Sequence, residues 1–124
     1  MRRARIAVVE DNPDNRLLVR ALLEDHYVLT EFETGMEAVT GLAQAEPDLV
    51  LLDISLPEMD GPEVLRWIRG QDSLKTIPVV ALTAHAMAGD RERFLAEGFD
   101  AYLMKPIVDE SVLLDTISRC LKTP

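Results

Sequence analysis

Five side chains able to hold a cation or a phosphoryl group stand directly after short apolar runs. Glu10 and Asp11 follow residues 6–9, Asp53 follows 49–52, Thr83 follows 77–82, and Lys105 follows 101–104. If each run is a strand of one parallel sheet, all five groups converge on the carboxyl edge of that sheet, where open α/β sheets bind ligands. Three carboxylates ~4 Å apart repel by about 4 kcal/mol per pair at an effective dielectric near 20. One lysine offsets only part of that charge. A hard divalent cation with oxygen ligands offsets the rest, and Mg²⁺ suits a few carboxylates plus a phosphate oxygen. Taken singly, Glu10 or Asp11 reads as an ordinary polar loop residue. The joint arrangement carries the chemistry.

The elements that must position these groups alternate along the chain. The runs at 6–9, 27–32, 49–52, 77–82 and 101–104 read as strands. The run at 49–52 is apolar at every position, as expected of a central parallel strand covered on both faces. Between the strands lie helical periodicities: Leu17, Leu18 and Leu22; Ala38, Val39, Leu42 and Ala43; Val64, Leu65 and Ile68; Phe94 and Leu95; Val112, Leu113, Ile117 and Leu121. Asp14 is placed to cap the first helix, Pro47 ends the second, and Gly98 closes the fourth. Gly61 is expected to serve a tight turn with positive φ. Five β-then-α units in series predict an α/β fold, a doubly wound five-stranded parallel sheet, flavodoxin-like (βα)5, in one domain over 1–124.

The bulk composition limits the functions available. The 124 residues carry 22 acidic and 13 basic side chains, a formal charge of −9. Such a chain repels nucleic acid and anionic membrane surfaces, so no direct nucleic-acid or membrane partner is expected. The basic start at Arg2, Arg3 and Arg5 is read as a solvated lip before the first strand. A lone cysteine, Cys120, fits a reducing compartment and is expected to be buried in the last helix. No signal-like or membrane-spanning apolar stretch is present, and a cytoplasmic location is expected.

The segments Val9-Glu10-Asp11-Asn12 and Leu52-Asp53-Ile54-Ser55-Leu56-Pro57-Glu58-Met59-Asp60-Gly61, the pair Thr83-Ala84 and the pair Lys105-Pro106 together resemble the signature of response-regulator receiver domains. The resemblance covers essentially the whole chain. The stretch from Thr83 to Asp90 is similar to DivK-type single-domain regulators and to receivers of hybrid kinases.

That resemblance implies a phosphorelay function: Mg²⁺-dependent transfer of a phosphoryl group from a partner phosphohistidine to Asp53. Asp53 would be the phosphorylation site and nucleophile. Asp11 would bind Mg²⁺ directly and Glu10 through water, with Asp53 and the backbone carbonyl of Ser55 as further ligands. Lys105 would pair with the phosphoryl group, across a Lys105-Pro106 bond that is cis in the family. Thr83 would reach a phosphoryl oxygen and Tyr102 would turn inward in response, changing the surface of the fourth helix, last strand and last helix. Tyr102 also reads as a half-buried core aromatic. Ala84 would leave room for the phosphoryl group. His85 either touches the attacking water or is a loop histidine without a role, and His26 is a surface residue. Asn15 and Arg16 stand on the first helix, the family's docking side. Arg91, Glu92 and Arg93 serve a partner or form a solvated face.

The implied partners are a histidine kinase or histidine phosphotransfer domain and a downstream protein target. The chain is expected to catalyse its own phosphorylation and dephosphorylation without being a turnover enzyme. The alternative is a pseudo-receiver, a protein-binding module that takes no phosphate. A phosphohydrolase with an aspartate nucleophile would need an acid two residues on, where Ser55 stands. A flavin carrier would need a phosphate loop in place of Glu10 and Asp11.

Overall fold

The computed structural model describes residues 3–84, 89–105, 107 and 109–122. The elements in chain order are β1 (Arg5–Val9), α1 (Pro13–Leu23), β2 (Val28–Phe32), α2 (Gly35–Ala45), β3 (Leu49–Asp53), α3 (Gly61–Arg69), β4 (Val79–Thr83), α4 (Asp90–Glu97), β5 (Ala101–Met104) and α5 (Glu110–Lys122). The strands form one parallel sheet in the order β2-β1-β3-β4-β5. The order reverses between β1 and β3, so the ends of those strands flank a natural crevice. The doubly wound (βα)5 expectation is met.

Strand alternation divides the core into two. Ala7, Val9, Val50, Leu52, Val79 and Ala81 face α2, α3 and α4, against Leu42, Val64, Ile68 and Phe94. Ile6, Val8, Leu49, Leu51, Val80 and Leu82 face α1 and α5, against Leu23, Leu113 and Ile117. β3 and β4 are buried at every position, as strands covered on both faces must be. Among the described residues no helix is long and apolar enough to cross a membrane.

Several local expectations shift. Asn12, not Asp14, caps α1: its side chain accepts the N–H groups of Asp14 and Asn15 at 2.8 and 3.1 Å. Pro13 sets the boundary, because it lacks an N–H and its fixed φ suits the first helical position. The buried stripe of α1 runs through Leu18, Val19, Leu22 and Leu23, which turns Leu17 outward. Leu95 and Val112 are exposed for the same reason, each lying at the rim of a stripe centred on Phe94 or on Leu113 and Ile117. Cys120 is only half-buried.

Gly61 is not a positive-φ residue; that conformation falls on Glu46, Glu58, Gly89 and Gly98. Gly61 is small for another reason. A Cβ there would stand 2.6 Å from the Asp53 carbonyl oxygen and from the Ile54 Cα. The start of α3 is thereby packed onto the backbone of Asp53, while the Asp60 side chain caps the helix through the Glu63 N–H at 3.1 Å.

Candidate functional site

The carboxyl ends of β1 and β3 bring the acids together. Carboxylate oxygens of Glu10, Asp11 and Asp53 all lie within 4.8 Å of one another. Glu10 and Asp53 are buried and Asp11 is exposed, so the cluster opens to solvent on one side. Lys105, just past β5, reaches across from the other flank. Its Nζ lies 3.0 Å from Asp53 Oδ2 and 3.2 Å from Glu10 Oε1. Its place is fixed by its own backbone N–H, which donates to the Thr83 carbonyl at 2.7 Å.

Backbone donors orient the two buried acids. The Ser55 N–H donates to Asp53 Oδ1 at 2.9 Å, and the Asn12 N–H donates to Glu10 Oε2 at 3.1 Å. Burial and the neighbouring Asp53 carboxylate push Glu10 up to about 7, against the pull of the Asn12 N–H and of Lys105. Burial alone would lower the Lys105 pKa, but Asp53 and Glu10 together hold the ammonium above its usual value. Three clustered acids with one ammonium among them, paired with Glu10 and Asp53, leave negative charge in excess.

The donor set consists of oxygens with one open side, which fits a hard divalent cation such as Mg²⁺. Ser55 is exposed at the mouth of the site. Thr83 ends β4 and is buried. It pairs in register with Met104, and Ala81 pairs with Tyr102, so Thr83 and Tyr102 are diagonal neighbours on one face of the sheet. Tyr102 is half-buried, with its ring 5.7 Å from that of Phe94. Ala84 is exposed beside Thr83. His85 and Pro106 lie outside the described residues, and with them the expectations for a water contact and a cis bond.

One contributor escaped the sequence reading. Arg16 was placed there as a docking residue, yet its side chain is only 14% exposed. Its Nη1 donates to the carbonyls of Glu10 and Asp11 at 2.9 and 3.2 Å, while Nη2 meets Glu33 at 3.3 Å. Arg16 therefore holds the acidic turn in place. The signal available was an arginine one helical turn beyond Asn12, near enough to reach back over the loop. Trp67 lies on α3, packed against the core face shared with Tyr102. His26 is exposed, as expected.

This is the architecture and polar edge of a receiver domain, and comparison with known proteins bears that out. The response regulator receiver domain family model matches residues 6–118, and the chain belongs to that family. It is 45% identical over 103 residues to the polar-differentiation response regulator DivK of Brucella anthropi, covering 82% of this chain and 84% of that protein. Among solved structures it resembles the receiver domain of a sensor histidine kinase from Pseudomonas aeruginosa PAO1, with 35% identity, a TM-score of 0.88 and coverage of 98% and 99% of the two chains. That structure has a magnesium ion coordinated in its active-site cleft. A chemotaxis response regulator of Vibrio cholerae matches with 28% identity, a TM-score of 0.87 and coverage of 95% and 98%. The chain is thus a receiver domain of two-component signalling, a class that works with histidine kinases and downstream targets.

Proposed function

We propose that this receiver is a phosphoacceptor switch in a phosphorelay, with Asp53 taking a phosphoryl group from a phosphohistidine of a kinase or phosphotransfer domain. One observation carries the reading: a buried Asp53 carboxylate, oriented by the Ser55 N–H, lies 3.0 Å from the Lys105 ammonium beside two further acids. In the step, an Asp53 carboxylate oxygen bonds to phosphorus, the P–N bond to the donor imidazole breaks, and the imidazole nitrogen keeps the electron pair. Lys105 faces the acceptor and pairs with the incoming phosphoryl charge. Glu10, Asp11 and Asp53, with the Ser55 carbonyl, would hold Mg²⁺, which when bound offsets charge on the acceptor and phosphoryl oxygens.

Thr83 and Tyr102 are the proposed switch. A threonine hydroxyl drawn to the phosphoryl group vacates space that its diagonal neighbour Tyr102 enters, and the surface of α4, β5 and α5 changes. The chain carries out its own phosphorylation and dephosphorylation and turns over no separate substrate. Its acidic charge and lone cysteine suit the cytoplasm.

Incubation with Mg²⁺ and acetyl phosphate, read by intact mass spectrometry, tests this directly. One added phosphoryl group is expected, lost in Asp53→Asn and on chelation. Phosphorylation that persists in Asp53→Asn would remove Asp53 as acceptor. No incorporation, together with no binding of Mg²⁺ and beryllofluoride, would favour the pseudo-receiver.

A further inference from the structure

Three successive carbonyls of the β1–α1 turn, those of Glu10, Asp11 and Asn12, are bound by one residue of α1. Arg16 Nη1 donates to the first two at 2.9 and 3.2 Å, and the Arg16 backbone N–H donates to the third at 3.0 Å. The guanidinium is itself braced from β2 and the loop that follows. Its Nη2 meets Glu33 at 3.3 Å, and its Nε lies 3.7 Å from Glu31. Glu31 is in turn fixed by Arg20, which donates to it twice, at 2.7 and 2.9 Å. The Arg16 side chain is 14% exposed, so water competes little for these bonds.

The three acids depend on this anchor unequally. The carboxylates of Glu10 and Asp53 have restraints of their own, since each accepts a backbone N–H and meets Lys105. The carboxylate of Asp11 has neither. Among the described residues it has no partner, and the one hydrogen bond that Asp11 makes is accepted by its carbonyl from Arg16. The place of the exposed acid is therefore set through Arg16.

How firmly a ligand is held decides which cation it suits. Mg²⁺ demands near-octahedral geometry with oxygens at about 2.0–2.1 Å, whereas Ca²⁺ accepts irregular arrangements at about 2.3–2.6 Å. An acid on a braced turn resists the expansion that the larger ion needs. An acid on a loose turn adapts to either ion. We propose that Arg16 is a positioning residue that sets the preference of the acidic site for Mg²⁺ over Ca²⁺, by fixing the turn that carries Asp11. It touches neither the ion nor the phosphoryl group. This assignment rests on the acidic cluster being a divalent-cation site, and it gives the choice of cation to a residue outside the cluster.

Calorimetry on the full chain, stripped of metal and probed with MgCl₂ and with CaCl₂, gives the ratio of the Ca²⁺ to the Mg²⁺ dissociation constant. In Arg16→Met that ratio is expected to fall at least threefold, because Mg²⁺ binding weakens more than Ca²⁺ binding. Arg16→Lys keeps the charge but replaces a fork that spans two carbonyls and Glu33 with a compact ammonium. It is expected to recover part of the affinity for both ions while losing the ratio to the same degree, and it carries the test alone should Arg16→Met not fold. A fall of less than threefold in either folded variant, with both ions weakened alike, overturns the assignment, because Arg16 then acts through charge or stability only. Wild-type protein that binds neither ion overturns the cation-site reading and the assignment together. Wild-type protein that binds Mg²⁺ while the variants keep its ratio overturns the assignment alone.

Discussion

At the two ends of the sheet, aspartates are handled in opposite ways. At the amino end each has its own donors. Asp48 accepts the Arg5 N–H at 2.7 Å, and Asp100 takes both the Val79 N–H and the Arg69 guanidinium. Arg69 also donates to the carbonyls of Lys75, Ile77 and Gly98, stitching the α3–β4 and α4–β5 connections together. At the carboxyl end, Glu10 and Asp53 share one ammonium, and Asp11 clusters beside them with no cation of its own among the described residues. The first arrangement consumes its charge in holding strands together. The second leaves charge over, and that surplus gives a cation or a phosphoryl group something to act on.

Breaking each end in turn sharpens the contrast. Lys105→Met strands two buried carboxylates and is expected to destabilise the metal-free protein by about 3 kcal/mol in urea unfolding, with much of the loss recovered in Mg²⁺. Arg69→Ala, at the other end, is expected to cost about 2 kcal/mol, with the Mg²⁺ affinity unchanged. A Mg²⁺ dependence of the Arg69→Ala loss would show that the two ends are not separable. For the intact protein, Mg²⁺ at ten times its dissociation constant should add about 1.4 kcal/mol. That gain should vanish in Asp11→Asn, whose carboxylate is the exposed one of the three.

A further test concerns pH. Glu10 rises from an ordinary 4.5 to about 7 on folding, so the folded chain binds the extra proton between those values. In EDTA its contribution to stability should therefore be present below about pH 4.5 and decline as pH rises to about 7. Thermal midpoints across that window measure it, and a contribution that instead grows with pH would contradict the burial assigned to Glu10.

The five serial strand–helix units and the convergence of Glu10, Asp11, Asp53, Thr83 and Lys105 were legible because β-branched runs and helical stripes alternate cleanly, each run ending in a polar group. What a period conveys poorly is the rim of a stripe. Leu17, Leu95 and Val112 are apolar residues one position off a buried face, and only packing decides which way they turn. Arg16 escaped for a different reason. Its role is to donate to backbone carbonyls, which carry no residue identity and leave no trace in a spacing. Gly61 was singled out for a positive φ that it does not have; what requires glycine there is crowding by a neighbouring chain segment, which is a tertiary fact.

That crowding has a consequence for how the gene can change. With a Cβ at position 61 barred by the Asp53 carbonyl and the Ile54 Cα, α3 begins at a fixed distance from the acceptor. Residues 54–60 thus span two points held in close contact, tied by the Gly61 N–H donating to the Ile54 carbonyl at 3.3 Å. Insertions or deletions there should be purged, although the segment is a loop with exposed positions at Ser55, Pro57 and Glu58. Sequence drift at those positions is free to alter side chains at the mouth of the site. The length of the loop is not free to follow.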